Sequence, residues 1–336
     1  MKKEHYRRNK KNDGILKVTA VILAIVIFVC GMFFALNLWE KHTGQFNDID
    51  ASAQLSSVFE YEGKTYDLNK NIETILVLGL DKFNRSGDES YSNDKQADFL
   101  MLLVIDNEKE EVSALHINRD TIAKMSVLGV AGDKIDKIEQ QIALAHTYGN
   151  GKEVSCRNTL EAVSNMLLNI DIDHYVSVTM DAVSIYNDLV GGVNVTVLDD
   201  FGGIDDSLVK DEEVTLYGEH ALNYVRTRYG LEDSSNNNRM ERQHQYIQAL
   251  YDKTRECIDG DDEFIVNAAA KLSTYLVSDC SGNRLQTIAE KIANYEFVGI
   301  KEIEGETVKG DKYIEFYPDA ESVKETVVEL FYTPQN

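Results

Sequence analysis

The chain has 336 residues, 43% of them hydrophobic, and a net charge of -23. That composition supports a buried core and excludes a disordered chain, while the acidity argues against a basic nucleic-acid-binding surface, whose affinity comes from neutralising phosphates. The charge is uneven: the first thirteen residues, MKKEHYRRNKKND, carry six Lys/Arg against two Asp/Glu, leaving 28 against 55, or -27, in everything after them.

Residues 1–17 read as a basic cytoplasmic tail. Val18 to Trp39 is a run of 22 residues without a charge. It is long enough to cross a hydrocarbon core of roughly 30 Å at about 1.5 Å per residue. A cleaved signal peptide would have an apolar region of about 7–15 residues before small residues; this run ends in Asn37, Leu38 and Trp39. A retained transmembrane helix is expected at 18–39, and the positive-inside rule then places the N-terminus in the cytoplasm and the main domain outside the cell. Residues 40–71 are polar and broken, as in a juxtamembrane stalk, and 72–332 read as one domain.

Along that domain TILVLGL, DFLMLLVID and EVSALHI are continuous apolar runs, the pattern of buried strands. Helical spacing is predicted for Ile138 to Tyr148 and for Asn158 to Leu168. Strands return at HYVSVTM and, after Gly191 and Gly192, at VNVTVL. GEHALNYVR reads as a short helix over Gly218 to Arg226. After the polar LEDSSNN comes a helix of about twenty residues, starting near Asn237 with Asn236 or Asn237 available as cap. Helices over Phe264 to Val277 and Arg284 to Tyr295, a strand pair YEFVGI and KYIEFY, and a helix from Ala320 complete the chain. The alternation predicts an α/β fold, a mixed sheet flanked by helices in three α-β-α layers.

Cys30 lies in the apolar span, and Cys156, Cys257 and Cys280 permit one disulfide in any of three pairings. The seven histidines show neither H-x-x-x-H nor C-x-x-C partners, so spacing indicates no zinc site.

Five arginines fall in three short phrases: INRD (Arg119), YVRTR (Arg226, Arg228) and NRMERQ (Arg239, Arg242). Arg239, Arg242 and Gln243 are three and four residues apart, on or near one helix face. Guanidinium forks match phosphate oxygens, so converging arginines in an acidic domain suggest an anionic ligand with several oxygens; ordinary salt bridging is the plain alternative. Asp81 and Asp98 border strands, where hard oxygen ligands suit Mg²⁺ bridging to a phosphate, and where turn chemistry is the alternative.

Together these phrases resemble the LytR-CpsA-Psr family, membrane-anchored enzymes that move polymers from undecaprenyl-linked carriers onto the bacterial cell wall. The resemblance covers about residues 72–252: VLGLD matches a strand followed by G-x-D, QADF an altered R-S-D-T, and INRDT an altered I-P-R-D-T. KIEQQIALAHTYGNG loosely matches the helical K-I-N-x-A-Y phrase, and DLVGGVNV matches D-x-L-G-G-V-x-V. LYGEHALNYVRTR and RMERQ complete the series. The resemblance implies a Mg²⁺-dependent phosphotransferase attaching an undecaprenyl-(pyro)phosphate-linked glycopolymer, of teichoic acid or capsule type, to peptidoglycan. It implies pyrophosphate binding by Arg119, Arg226, Arg228 and Arg239 with Gln243 as companion donor, Arg242 beside them, and metal binding by Asp81 and Asp98. The polyisoprenyl tail would occupy an apolar channel, and the apolar residues of 138–148 and 154–169 are candidates for its lining or for plain core. The alternative is a non-catalytic polyisoprenyl-phosphate-binding protein of the same fold with a regulatory or scaffolding role. A nucleic acid is not an expected partner.

Three departures matter. Gln96 stands where an arginine is usual, Asn118 replaces a proline, and Asn236 stands where an acid is often found. Asn cannot accept a proton, which leaves Asp233 and Asp120 as candidate bases. Arg85 or Lys95 is the candidate to restore the missing charge. The topology makes its own prediction: protease added to cells stripped of their wall should digest epitopes beyond residue 50 and spare the first thirteen residues, whereas protection of the large domain would overturn the orientation.

Overall fold

The computed structural model describes residues 57–80, 95–129, 131–228, 230–232, 236–261, 264–281, single positions from 284 to 291, and 294–310 and 313–335. The expected membrane span 18–39, the stalk up to residue 56, and Asp81, Arg85 and Asp233 lie outside the described residues. Among the described residues, no helix is long and apolar enough to cross a membrane.

Part of the expected stalk is folded. Val58–Tyr61 (β1) and Lys64–Leu68 (β2) pair as an antiparallel hairpin whose turn residues, Glu62 and Gly63, have φ of 48° and 72°. Tyr332–Pro334 (β15), at the other end of the chain, pairs with β2 and ties the two ends together. The polar composition of 57–71 reflects an exposed small sheet.

The apolar runs form the centre. Ile72–Leu80 (β3), Ala97–Asp106 (β4), Glu111–Ile117 (β5), His174–Thr179 (β8), Leu276–Ser278 (β11) and Glu296–Glu302 (β12) make one six-stranded mixed sheet in the order β11-β8-β3-β4-β5-β12. Successive side chains of a strand point to opposite faces, and here both faces are covered, which is why these strands are apolar throughout instead of alternating. Leu76, Leu78 and Leu80 pack with Glu153–Met166 (α1) and Ala320–Phe331 (α6). Ile75 and Val77 share the opposite core with Asp181–Leu189 (α2), Gly218–Arg226 (α3), Asn236–Gly260 (α4) and Phe264–Leu272 (α5). The layers are those expected from the sequence.

Three local expectations fail. Residues 138–148 do not form a helix: Lys134–Gln141 (β7) pairs with Ile122–Leu128 (β6), and Ile142–Thr147 is 3₁₀. Ile135 and Ile138 fit helical spacing, yet a partner strand is available and decides the matter. The strands YEFVGI and KYIEFY do not pair with each other, because β12 lies parallel to β5 while Gly305–Lys309 (β13) pairs with Ile314–Pro318 (β14). The helix expected over Phe264 to Val277 stops at Leu272, and its last residues form the edge strand β11.

The small sheet of Val193–Thr196 (β9) and Glu213–Leu216 (β10) brings two sequence motifs together. Asp188 of DLVGGVNV accepts a 2.7 Å hydrogen bond from the Gly218 N–H, the first residue of α3. Gly192, at φ 90°, lies where a Cβ would meet the Tyr217 ring at 2.6 Å.

Gly79 of VLGLD marks another close approach: a Cβ there would fall 2.8 Å from Cβ of Phe99 on β4. Gly79→Ala should therefore destabilise the full-length protein by about 1–3 kcal/mol, the usual cost of overpacking, measured as a lower unfolding midpoint. Because the close atom is a Cβ, which alanine would keep, the double variant Gly79→Ala/Phe99→Gly should not show the sum of the two single losses.

Candidate functional site

The site forms where the central strands end. Extending the β4/β5 register, in which Leu100 faces Ile117, by two residues sets Asp98 across from Arg119. Their side chains meet: Arg119 Nη1 is 2.5 Å from Asp98 Oδ1, and Arg119 Nη2 donates to Gln96 Oε1. Gln96 thus serves as an acceptor for an arginine where the family motif supplies another arginine.

Asp120 is 1% exposed. Its Oδ2 accepts from Arg228 Nη1 at 2.7 Å, its Oδ1 accepts from Gln141 Nε2 at 2.8 Å, and Arg119 Nε lies 3.7 Å from Oδ1. Both oxygens are engaged, so in this arrangement Asp120 ties Arg228 to Gln141 beside Arg119. Arg228, two residues beyond α3, is buried against it.

Arg239 enters from the first turn of α4. Its Nη2 donates to Asn236 Oδ1 and, at 3.3 Å, to the Asp98 carbonyl, while its Nε is buried without a hydrogen-bond partner. Burial lowers its pKa to about 10 against the opposing pull of Asp98, with Arg119 and Arg228 adding to the lowering, so it stays charged at neutral pH. Three guanidinium groups, Arg119, Arg228 and Arg239, are therefore concentrated around two carboxylates.

The remaining expected donors separate. Arg226 is exposed at the last residue of α3. Arg242 is fully buried, donates to the carbonyls of Tyr224 (2.5 Å) and Thr227, ion-pairs with Asp199 at 2.9 Å, and lies over the Phe201 ring at 5.2 Å. It ties α4 to α3 and to the loop after β9, apart from the partners of Arg119, Arg228 and Arg239. A helix turns about 100° per residue, which is enough to send Arg239 and Arg242 to different neighbours although they are three apart. Gln243 donates from Nε2 to the Val225 carbonyl at 3.0 Å, and its Oε1 is buried with no hydrogen-bond partner.

Gln243 also borders a cavity of about 130 Å³ lined chiefly by apolar side chains, among them Val77, Phe99, Met180, Tyr246 and Leu250. It lies on the sheet face that carries α2 to α5. The apolar residues of 138–148 and 154–169 pack on the other face, with Ile142, Cys156, Val163 and Leu167 in its core, and none of them lines this cavity. Cys156, Cys257 and Cys280 are free thiols, and burial pushes Cys156 up to about 12.

For Mg²⁺ the described donor is Asp98, whose Oδ1 is buried and accepts no hydrogen bond although Arg119 lies beside it. A hard carboxylate oxygen next to an arginine cluster fits that ion. Asp199 and Gln141 carried no sequence signal, and Asn118 and Asn237 stood out only as a motif departure and a candidate cap; the site places all four by contacts distant in the chain. Asn118 Oδ1 accepts from Asn236 Nδ2 at 2.7 Å, and Asn118 Nδ2 donates to Asn237 Oδ1 at 3.0 Å.

The fold and site define a mixed α/β domain that packs an arginine cluster beside an apolar cavity. The chain belongs to the LytR_cpsA_psr family, whose sequence pattern matches residues 33–331. It is 29% identical over 249 residues, 74% of this chain and 72% of its relative, to polyisoprenyl-teichoic acid--peptidoglycan teichoic acid transferase TagU of Bacillus subtilis. It is 28% identical over 339 residues, 95% and 80% of the two chains, to the TagV enzyme of the same name and organism. Among solved structures, TagT bound to LIIa-WTA is similar with a TM-score of 0.57 at 22% identity, covering 78% of this chain and 90% of that one.

Arg242→Ala should remove a structural tie and leave Asp199 buried and unpaired, costing about 3–5 kcal/mol in denaturant unfolding. Arg242→Ala/Asp199→Asn should recover part of that loss; full additivity would show that the two side chains act separately.

Proposed function

We propose that this chain is a membrane-anchored phosphotransferase that attaches a polyisoprenyl-(pyro)phosphate-linked glycopolymer to peptidoglycan on the outer face of the membrane. The observation that carries this reading is the closeness of Arg119, Arg228 and Arg239 to an apolar cavity, which is lined by Phe99, next to Asp98, and by Gln243, one helical turn after Arg239. Such a junction suits a ligand that is an anion at one end and a hydrocarbon at the other. The names of TagU and TagV describe the same chemistry in relatives. The apolar run 18–39 would hold the domain at the membrane that carries the lipid.

In this reading the arginines lie on the phosphoryl oxygens and on the lipid phosphate, where negative charge accumulates as the bond between them breaks. Preorganised charge of this kind is the main demand of phosphoryl transfer. Asp98 and Asp81 would hold Mg²⁺, which when bound neutralises phosphate charge. An acceptor hydroxyl oxygen attacks phosphorus, the P–O bond to the lipid phosphate breaks, and the hydroxyl proton passes to a base, for which Asp233 is the candidate. Asp120 assists by fixing Arg119 and Arg228.

One observation favours a second reading, a binding protein without turnover: among the described residues at this site, Asp120 is fully engaged and position 236 is an amide. Full-length protein in detergent, given the lipid-linked polymer, Mg²⁺ and peptidoglycan, separates the two. Arg119→Ala and Arg239→Gln should each weaken lipid-pyrophosphate binding by roughly ten- to a hundredfold, the worth of a charged hydrogen bond of about 1.5–3 kcal/mol. Asp233→Asn should keep binding and lose transfer. Binding that requires these arginines with no transfer by the unmodified protein would establish the second reading.

A further inference from the structure

Behind the arginine cluster, three side chains far apart in the sequence converge. His116 is on β5, Glu302 is its direct register partner on the neighbouring strand β12, and His244 lies on α4 immediately after Gln243. His116 Nδ1 is 2.7 Å from His244 Nε2, His244 Nε2 is 3.4 Å from Glu302 Oε1, and the three ligand atoms all lie within 4.8 Å of one another.

We propose that His116, His244 and Glu302 form a binding site for a late first-row divalent cation of the Zn²⁺ type, distinct from the Mg²⁺ position at Asp98. Two imidazole nitrogens and one carboxylate oxygen are a donor set that such ions take, with water completing a tetrahedron. Ligating nitrogens in that geometry stand roughly 3.3 Å apart at bonds of about 2.0–2.1 Å, so the pair needs to open by only a few tenths of an ångström. Without a metal the two rings share one proton; for both nitrogens to ligate, the ring that carries it moves that proton to its other nitrogen, and no net charge is lost. Burial holds both imidazoles below the ordinary histidine range, His116 most strongly, so both are in the neutral form that ligates. The Phe99 ring lies against His116 at 4.9 Å between centroids and limits its rotation.

Access is available. A second cavity, of about 360 Å³, is lined by His116 and Glu302 together with Asn118, Asn237 and Glu304, giving room for water ligands. Glu241 lies close enough to raise the Glu302 carboxyl pKa, after burial itself, so a cation would relieve a concentration of negative charge. Another cluster, His174, Asp279 and Cys280, meets the same distance criterion. There Asp279 already holds His174 and raises it to about 10, so a cation would have to displace a bound proton as well. A cation at the first cluster would cross-link β5, which leads to Arg119, with α4, which carries Arg239.

Full-length protein in detergent, stripped with a chelator, would be titrated with Zn²⁺ against a chromophoric competitor and examined by X-ray absorption. The expected result is one Zn²⁺ per chain with two histidine nitrogens in its shell. His244→Ala and Glu302→Gln, both at partly exposed positions, should each weaken binding by at least about a hundredfold, beyond the roughly 10–100-fold usual for losing an outer-shell partner. Unchanged affinity in both variants, less than stoichiometric binding, or loss that follows Asp279→Asn or Asp98→Asn instead would overturn the assignment.

Discussion

The carboxylate of Asp120, 1% exposed, takes Arg228 on one oxygen and Gln141 on the other, with Arg119 alongside. Those contacts bring the end of β5, the segment after α3 and the end of β7 to a single point. A buried charge survives only when paired and hydrogen-bonded, and removing one partner of such a pair typically costs about 3–5 kcal/mol. The same requirement that keeps Asp120 paired therefore holds two arginines in position with little freedom. Arg239 completes the group through Asn236 and the Asp98 carbonyl. Three like charges at close quarters repel one another, and the two carboxylates are what make their assembly tolerable without a ligand.

Two of the departures from the family pattern prove to be one. Asn118, where the motif has proline, and Asn236, where it often has an acid, are hydrogen-bonded to each other. Asn118 Oδ1 also accepts from the Asp120 N–H at 3.0 Å, a bond that fixes the turn which presents Arg119 and Asp120. A carboxylate at 236 could not donate to Asn118, and a proline at 118 could not accept, so each substitution makes sense beside the other. Asn236 then uses its own oxygen as an acceptor for Arg239. The pair replaces a charge interaction by a neutral chain that still positions the same guanidinium.

How much of this was legible follows from the range of the interactions. The runs at 74–80, 98–106 and 111–117 declared themselves as strands because burial on both faces leaves a local mark, an unbroken series of apolar residues. The helix over Gly218 to Arg226 was equally plain, since its periodicity is carried by nine consecutive residues. The segment Lys134 to Gln141 was not: its isoleucines, three apart, fit helical spacing and fall on opposite faces of a strand, and only the presence of β6 beside it selects the strand. Arg239 and Arg242 look equivalent in RMERQ, yet one meets Asp98 and its partners and the other meets Asp199 and the rings of Phe201 and Tyr224.

The sequence alone determined the family, the layered α/β class, the expectation of an apolar anchor at 18–39 and the arginine phrases, because each is written in neighbouring residues or in short motifs. Only the tertiary structure decided which arginines share a site, that Asp120 is a clamp, which face of the sheet holds the cavity, and that His116, His244 and Glu302 meet. Those outcomes depend on register and on helix rotation, which are set by packing across many tens of residues, and a one-residue slip in a strand sends every side chain to the opposite face.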